Sequence, residues 1–218
     1  MASRYIALIL MITLFSGNAK ASDSTTVEQQ TAFDLFQWGM SLSYGFVNEK
    51  IDGNRYEPFL IMAHLEFHPH RKQRNPNAPH YFLLFAEPQA NPVFFGGGIK
   101  DWEMGCNIGV KYLAKIKERN SLFVHVGSGP QYISINAPTH QANGFAFANN
   151  FGIGYQRLFK KDVHINFGYR FRHVSNLNLQ LPNAGLDNHF FSIGFRKDFA
   201  HRIQQRMQRK KERLLLNE

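Results

Sequence analysis

The sequence predicts an all-β protein, an eight-stranded antiparallel transmembrane β-barrel followed by a basic C-terminal tail expected to be helical. Three observations carry this expectation. An export signal opens the chain, eight segments alternate between large apolar and small or polar residues, and aromatics are abundant. The 218 residues include 21 Phe, 8 Tyr and 2 Trp beside 17 Gly. A hydrophobic content of 44% excludes disorder as the overall state. The formal charge of +9 implies an anionic partner, nucleic acid or a membrane surface. A lone cysteine, Cys106, excludes an intramolecular disulfide framework and a Cys-based zinc site.

The elements follow in order. Arg4 precedes an apolar run at 5–15 and then Ser16-Gly17-Asn18-Ala19-Lys20-Ala21. A positive start, a short apolar run and small residues at Ala19 and Ala21 describe a secretory signal peptide over 1–21. The run is too short to span a membrane, which takes about 20 apolar residues. Export in turn weighs against nucleic acid as the partner. Residues 22–37 are expected as an N-terminal periplasmic segment and 38–199 as the barrel.

In segment 38–46, Met40, Leu42, Tyr44 and Phe46 alternate with Gly39, Ser41, Ser43 and Gly45. Segment 102–112 sets Met104, Cys106, Ile108 and Val110 against Glu103, Gly105, Asn107, Gly109 and Lys111. Segments 144–155 and 163–171 repeat the pattern with Phe, Ile and Tyr at odd positions. Weaker alternation marks 59–67, 81–87, 122–132 and 189–199. A period of two is a strand signature that no helical face explains. Asp52-Gly53-Asn54, Asn75-Pro76-Asn77, Ala137-Pro138 and Pro182-Asn183-Ala184-Gly185 supply turns between the segments.

A secreted soluble barrel also alternates, so the second face decides between the two. A soluble sheet would carry long charged residues there. This chain carries Gly, Ala, Ser and Asn, with a few charges such as Glu66, Glu103, Lys111 and Arg170. Those residues suit a crowded barrel interior in which charges pair. Trp38, Trp102, Tyr112 and Tyr155 near strand ends suit interfacial girdles. With the N-terminus in the periplasm, the turns at 69–79, 114–120 and 156–162 lie on the inner side, and all three are basic. The tail at 200–218 adds Arg202, Arg206, Arg209, Lys210, Lys211 and Arg213. It reads as a helix with Ile203, Met207 and Leu214 on one stripe, resting on anionic headgroups.

The seventh segment ends in Arg172-His173-Val174-Ser175-Asn176. His173 and Ser175 share the odd parity of Phe167, Tyr169 and Phe171, so they face lipid at the outer end. Ionisable groups facing lipid are costly and usually functional; the other reading is a strand that has already left the hydrocarbon. Asp187 opens the eighth segment with the same outward parity, so antiparallel pairing returns it beside His173. Serine, histidine and carboxylate on one face are the parts of a nucleophile, base and orienter. His189 shares that face and competes as the base; His173 is preferred for its i, i+2 spacing to Ser175.

His173-Val174-Ser175-Asn176 followed by Pro182-Asn183-Ala184-Gly185-Leu186-Asp187 resembles the signature of the lipid A 3-O-deacylases, the PagL family. The strong match covers the last two strands, and Glu87-Pro88 and the glycine-rich middle strands match more loosely. The resemblance implies an eight-stranded outer-membrane barrel that hydrolyses the 3-O-linked acyl chain of lipid A. It implies Ser175 as nucleophile, His173 as base and Asn183 as a candidate oxyanion donor. Position 187 departs from the family, whose usual acid is Glu, one methylene longer. Lipopolysaccharide and outer-membrane lipids are then the partners, and a homodimer is compatible with them. The alternatives are a non-enzymatic structural or adhesive barrel and a lipid A acyltransferase.

No cofactor is expected. His64, His68, His70 and His80 invite a metal reading, but only His68 and His70 are close in sequence and share a face, so no metal site is expected. Gly96-Gly97-Gly98 lacks a following Lys-Ser/Thr and reads as a flexible outer loop rather than a phosphate loop. No Gly-x-Ser-x-Gly elbow occurs, which excludes a soluble α/β-hydrolase.

Overall fold

The computed structural model describes residues 34–69, 78–96, 98–135, 137 and 139–199. The expected signal peptide, the basic turn residues 71–74 and the C-terminal tail lie outside them. The strands are β1 (Asp34–Asn48), β2 (Lys50–Ile51), β3 (Asn54–His68), β4 (His80–Phe95), β5 (Gly98–Lys117), β6 (Asn120–Ile133), β7 (Gly144–Lys160), β8 (Val163–Ser175) and β9 (Leu186–Asp198). Each pairs antiparallel with its neighbour, and β1 pairs with both β9 and β3, so the sheet closes on itself. β2 is a two-residue arm on β3. The wall therefore has eight strands, as the alternation predicts.

Closure leaves no free edge, and every wall strand then has one face inward and one outward. The outward face is apolar: Leu42, Ile61, Phe82, Ile108, Val126, Phe151, Phe167 and Ile193 are all exposed. Aromatics gather toward strand ends, where Trp102 stacks on Tyr132 and Trp38 meets Phe195 edge-on. An exposed apolar belt of this kind is stable only against lipid.

The inward face is polar and filled. Lys111 Nζ donates to Glu66 Oε1 at 2.9 Å, and Arg196 Nε donates to the same oxygen at 3.0 Å. Arg170 forks onto Glu87 at 2.8 and 3.0 Å. Arg172, fully buried, forks onto Glu103 at 2.6 and 3.2 Å and donates to Asn188 Oδ1. The cavity bounded by Glu66, Glu87, Lys111 and Arg170 holds only about 20 Å³, room for roughly one water. Among the described residues the barrel interior is packed and shows no channel at this level.

Several strands run past the segments expected from sequence, β1 beginning at Asp34, inside the expected periplasmic segment 22–37, and the differences are largest at β4 and at the glycine run. The third alternating segment ends at Glu87 in the sequence, where proline intervenes, yet β4 runs on through Pro88 and Pro92 to Phe95. Its ladder to β5 runs from His80 to Phe95 with one register shift, between Val93 and Phe94, while pairing to β3 is intermittent there. The prolines cost donors on one side only; where the ladder to β3 lapses, the Ile61 N–H donates instead to Asn91 Oδ1 at 3.1 Å. Where the sequence suggests a flexible outer loop at the glycine run, Phe95 at the end of β4 pairs with Gly98 at the start of β5, and Gly96 has φ 61°.

Glu103 is the carboxylate that neutralises a fully buried guanidinium. Glu103→Ala should destabilise the barrel by about 3–5 kcal/mol, read as a lower urea midpoint for unfolding in lipid vesicles.

Candidate active site

The site is built at the rim that carries the β8–β9 connection. On β8 the even residues Arg170 and Arg172 point inward and the odd ones outward, which sends His173 and Ser175 to the outer surface. The register pairs His173 directly with Asp187 across the ladder. Their side chains meet there, with His173 Nδ1 2.6 Å from Asp187 Oδ1. The aspartate reaches because the two residues are directly opposite, where Cβ atoms lie about 5 Å apart. A longer acid is unnecessary in this register. The two side chains are 39% and 50% exposed, open to a ligand arriving from outside.

Ser175 is the last residue of β8, and the turn that follows wraps around its hydroxyl. Asn183 Oδ1 accepts the Asn176 N–H at 2.9 Å, which fixes the amide orientation. Its Nδ2 is then the end that donates, to Ser175 Oγ at 3.1 Å and Asn178 Oδ1 at 3.0 Å. The Leu177 N–H also points at Ser175 Oγ, at 3.3 Å. Leu177 and Asn178 hold left-handed conformations, with φ of 57° and 60°. Such backbone is unfavourable for a leucine and is retained where surroundings enforce it, commonly at functional sites.

The turn is braced by the β6–β7 connection. Gln141 bridges Asn183, Ala142 N donates to Pro182 O at 2.9 Å, and Ala184 N donates to His140 O at 2.9 Å. His140 Nε2 lies 3.1 Å from the Gly185 carbonyl, so this nitrogen carries the proton. Gly185 itself has φ 88°, and a Cβ there would sit 2.7 Å from His173 Cε1. The imidazole lies directly over this glycine.

The four expected site residues are thus adjacent, as two linked pairs: His173 with Asp187, and Ser175 with Asn183. No hydrogen bond joins Ser175 to His173 among the described residues. Asp187 occupies His173 Nδ1, which leaves Nε2 as the nitrogen for a proton from the serine side. Catalytic hydrogen bonds are often loose until substrate binds. His189, the rival base, lies two residues deeper on β9. Its Nδ1 bonds Tyr169 Oη at 2.7 Å, and its ring packs on Phe46 and Phe171.

Sequence reasoning missed Gly185, the left-handed Leu177-Asn178 pair and the β6–β7 brace. Only Gly185, inside a Pro-Asn-x-Gly turn, left a local signal. It also missed a second arrangement of the same kinds of group. In the lumen, Ser41 Oγ lies 2.6 Å from His64 Nε2, and His64 Nδ1 lies 2.8 Å from Glu87 Oε1. All three are buried, and the adjoining cavity of about 20 Å³ cannot admit an acyl ester. Glu87 is moreover taken by Arg170. Of the other histidines in the metal reading, His80 Nδ1 is 2.7 Å from Tyr112 Oη, His68 lies beside the Phe36 and Tyr81 rings, and His70 is outside the described residues.

Residues 21–196 match the lipid A 3-O-deacylase (PagL) family. The chain belongs to that family. The fold is similar to the crystal structure of the outer membrane enzyme PagL, at 14% identity and a TM-score of 0.50, over 72% of this chain and 97% of that one. It is also similar to the crystal structure of Neisserial surface protein A, at 11% identity and a TM-score of 0.48, over 78% of this chain and 98% of the other. No curated protein matches the chain. Family membership and the closed barrel with its lipid-facing belt make this a bacterial outer-membrane protein of a hydrolase family.

Gly185→Ala should strain the turn and push the His173 ring from its place. Displacements of about 1 Å cost on the order of 100-fold in rate. The expected result is a fall of that order in the family's deacylation reaction, with the barrel still folded by heat-dependent gel mobility.

Proposed function

We propose that this protein hydrolyses the 3-O-linked acyl ester of lipid A through Ser175, His173 and Asp187. The observation that carries the reading is the outward-facing His173–Asp187 pair at 2.6 Å, on the same wall face as Ser175. An ester already lying in the membrane reaches that face without leaving the lipid.

The chemistry then follows from the donors present. Ser175 Oγ attacks the ester carbonyl carbon as His173 Nε2 takes the hydroxyl proton. Asp187, accepting a hydrogen bond from Nδ1–H, holds the tautomer that leaves Nε2 unprotonated and stabilises the imidazolium that forms. The Asn183 amide and the Leu177 N–H, which crowd Ser175 Oγ in the free protein, donate to the developing oxyanion. The bond from the acyl carbon to the sugar oxygen breaks, and His173 returns the proton to that oxygen. Water, deprotonated by His173, attacks the acyl-serine; the bond to Ser175 Oγ breaks, His173 returns the proton to that oxygen, and the fatty acid is released.

The same reading puts the β8–β9 rim at the outer leaflet. Lys115, Lys117, Arg119, Lys160 and Lys161 gather at the opposite rim with the termini of the wall, where anionic phospholipid headgroups would hold them.

Ser175→Ala should abolish release of 3-hydroxy fatty acid from purified lipopolysaccharide in detergent while keeping the folded gel mobility. Retained hydrolysis would remove Ser175 from the mechanism. Asp187→Ala should lower turnover by about 10²- to 10⁴-fold, the upper figure being the cost of losing the orienting acid in comparable hydrolases. Asp187→Glu should bring no gain, because the aspartate already reaches Nδ1; a rate well above wild type would contradict the register argument.

A further inference from the structure

β1 does not stop at the wall. It continues into a hairpin whose turn residues, Asp52 and Gly53, have φ of 50° and 82°, the two-residue geometry that an Asp-Gly pair favours. Ile51 and Tyr56 point inward from the two limbs and are fully buried, in the same apolar cluster as Val174 and Leu186 of the β8–β9 pair. Alternation therefore sends Lys50 and Arg55 outward, and both are exposed. The register sets these two cations directly opposite each other.

Like charges directly across a ladder repel, and little here offsets the repulsion. Arg55 Nη1 meets Glu57 at 3.6 Å, with side chains 70% and 36% exposed, a weak contact in water. Lys50 has no anionic partner among the described residues. Local rules are broken in this way mainly at functional sites.

The arm stands beside the candidate site. Glu49 N donates to Asp187 O at 3.1 Å, and Tyr56 N donates to Glu49 O at 2.9 Å. Across the wall the order is His173, Asp187, Glu49, Tyr56, so Lys50 lies about one strand spacing and Arg55 about two from Asp187, roughly 5 and 10 Å across the strands. The depth also agrees. The outward face of β3 passes from Ile61 and Phe59 to Glu57 and Arg55, as that of β8 passes from Phe167 and Phe171 to His173. Both changes from apolar to polar mark the headgroup level.

We propose that Lys50 and Arg55 form an anion site for a phosphate on the sugar headgroup of the lipid whose ester reaches Ser175. The inference rests on the lipid-hydrolase reading for the identity of the lipid. A phosphate monoester carries a charge of about −1.5 to −2 and three acceptor oxygens, enough to bridge a lysine point charge and an arginine fork at once. Held on a hairpin anchored by buried Ile51 and Tyr56, it would fix where along the headgroup the ester meets Ser175.

Binding tests this without turnover. Bisphosphorylated lipid A and chemically dephosphorylated lipid A in detergent micelles are titrated onto Ser175→Ala protein with the arm intact or carrying Lys50→Glu and Arg55→Glu. With the arm intact, the phosphorylated lipid should bind about tenfold more tightly, equivalent to about 1.4 kcal/mol. The preference should shrink with salt and vanish in the arm variant, whose folded gel mobility is checked in parallel. A Lys50→Arg, Arg55→Lys exchange should keep it. Equal binding of both lipids to the intact arm, or a preference that survives in the arm variant, would overturn the proposal. So would loss of the preference in the presence of micromolar inorganic phosphate, which would make this a site for the free ion. Phosphate preference in a protein whose wild-type form cleaves no lipid would count against the hydrolase reading and not against the arm.

Discussion

The fully buried pairing of Arg172 with Glu103 is the constraint on which the outer surface depends. Each guanidinium and carboxylate in this lumen is tolerable only with its partner, because an unpaired charge there costs several kcal/mol. Arg170 with Glu87, and Lys111 and Arg196 with Glu66, repeat the constraint at lower levels. Together they lock the stagger of the wall. A slip of β8 by one residue would turn Arg170 and Arg172 to lipid, at a cost that rises to about 2–4 kcal/mol at the midplane and is smaller for Arg172 near the headgroups, and carry His173 inside.

The site is therefore a consequence of the interior. With Arg172 anchored inward against Glu103 and Asn188, His173 and Asp187 project from the same rung on the other side. The serine sits where the ladder ends, so that a turn rather than a neighbouring strand supplies its donors. A rigid wall holds the base and acid; a braced loop shapes the surroundings of the nucleophile. Ser41, His64 and Glu87 make the complementary point. Their contacts are close to those of a catalytic triad, yet they are enclosed by the network they belong to, and environment rather than geometry separates the two arrangements.

Much of this was legible in the sequence because a barrel wall translates period two directly into inside and outside. That rule placed the eight wall strands, the apolar belt, His173, Ser175 and Asp187. It failed where the signal was not periodic. Pro88 and Pro92 hid the second half of β4, since a proline reads as a break although its missing donor is cheap on one side of a strand. The β2 arm is too short for any period to show. Glu87, Arg172 and Arg196 occupy positions the alternation marks as inward, but their partners lie on strands dozens of residues away. The brace from His140 and Gln141 is likewise a contact between loops, which no local pattern records.

The central claim is that the rim of β8 and β9 removes one acyl chain from lipid A in the outer membrane. Mass spectrometry of lipid A from cells expressing this chain tests it most directly. The account predicts a species lighter by one 3-hydroxyacyl group at the 3-position, absent from cells expressing a folded Ser175→Ala protein. Unchanged lipid A, or a species heavier by an acyl group, would contradict it.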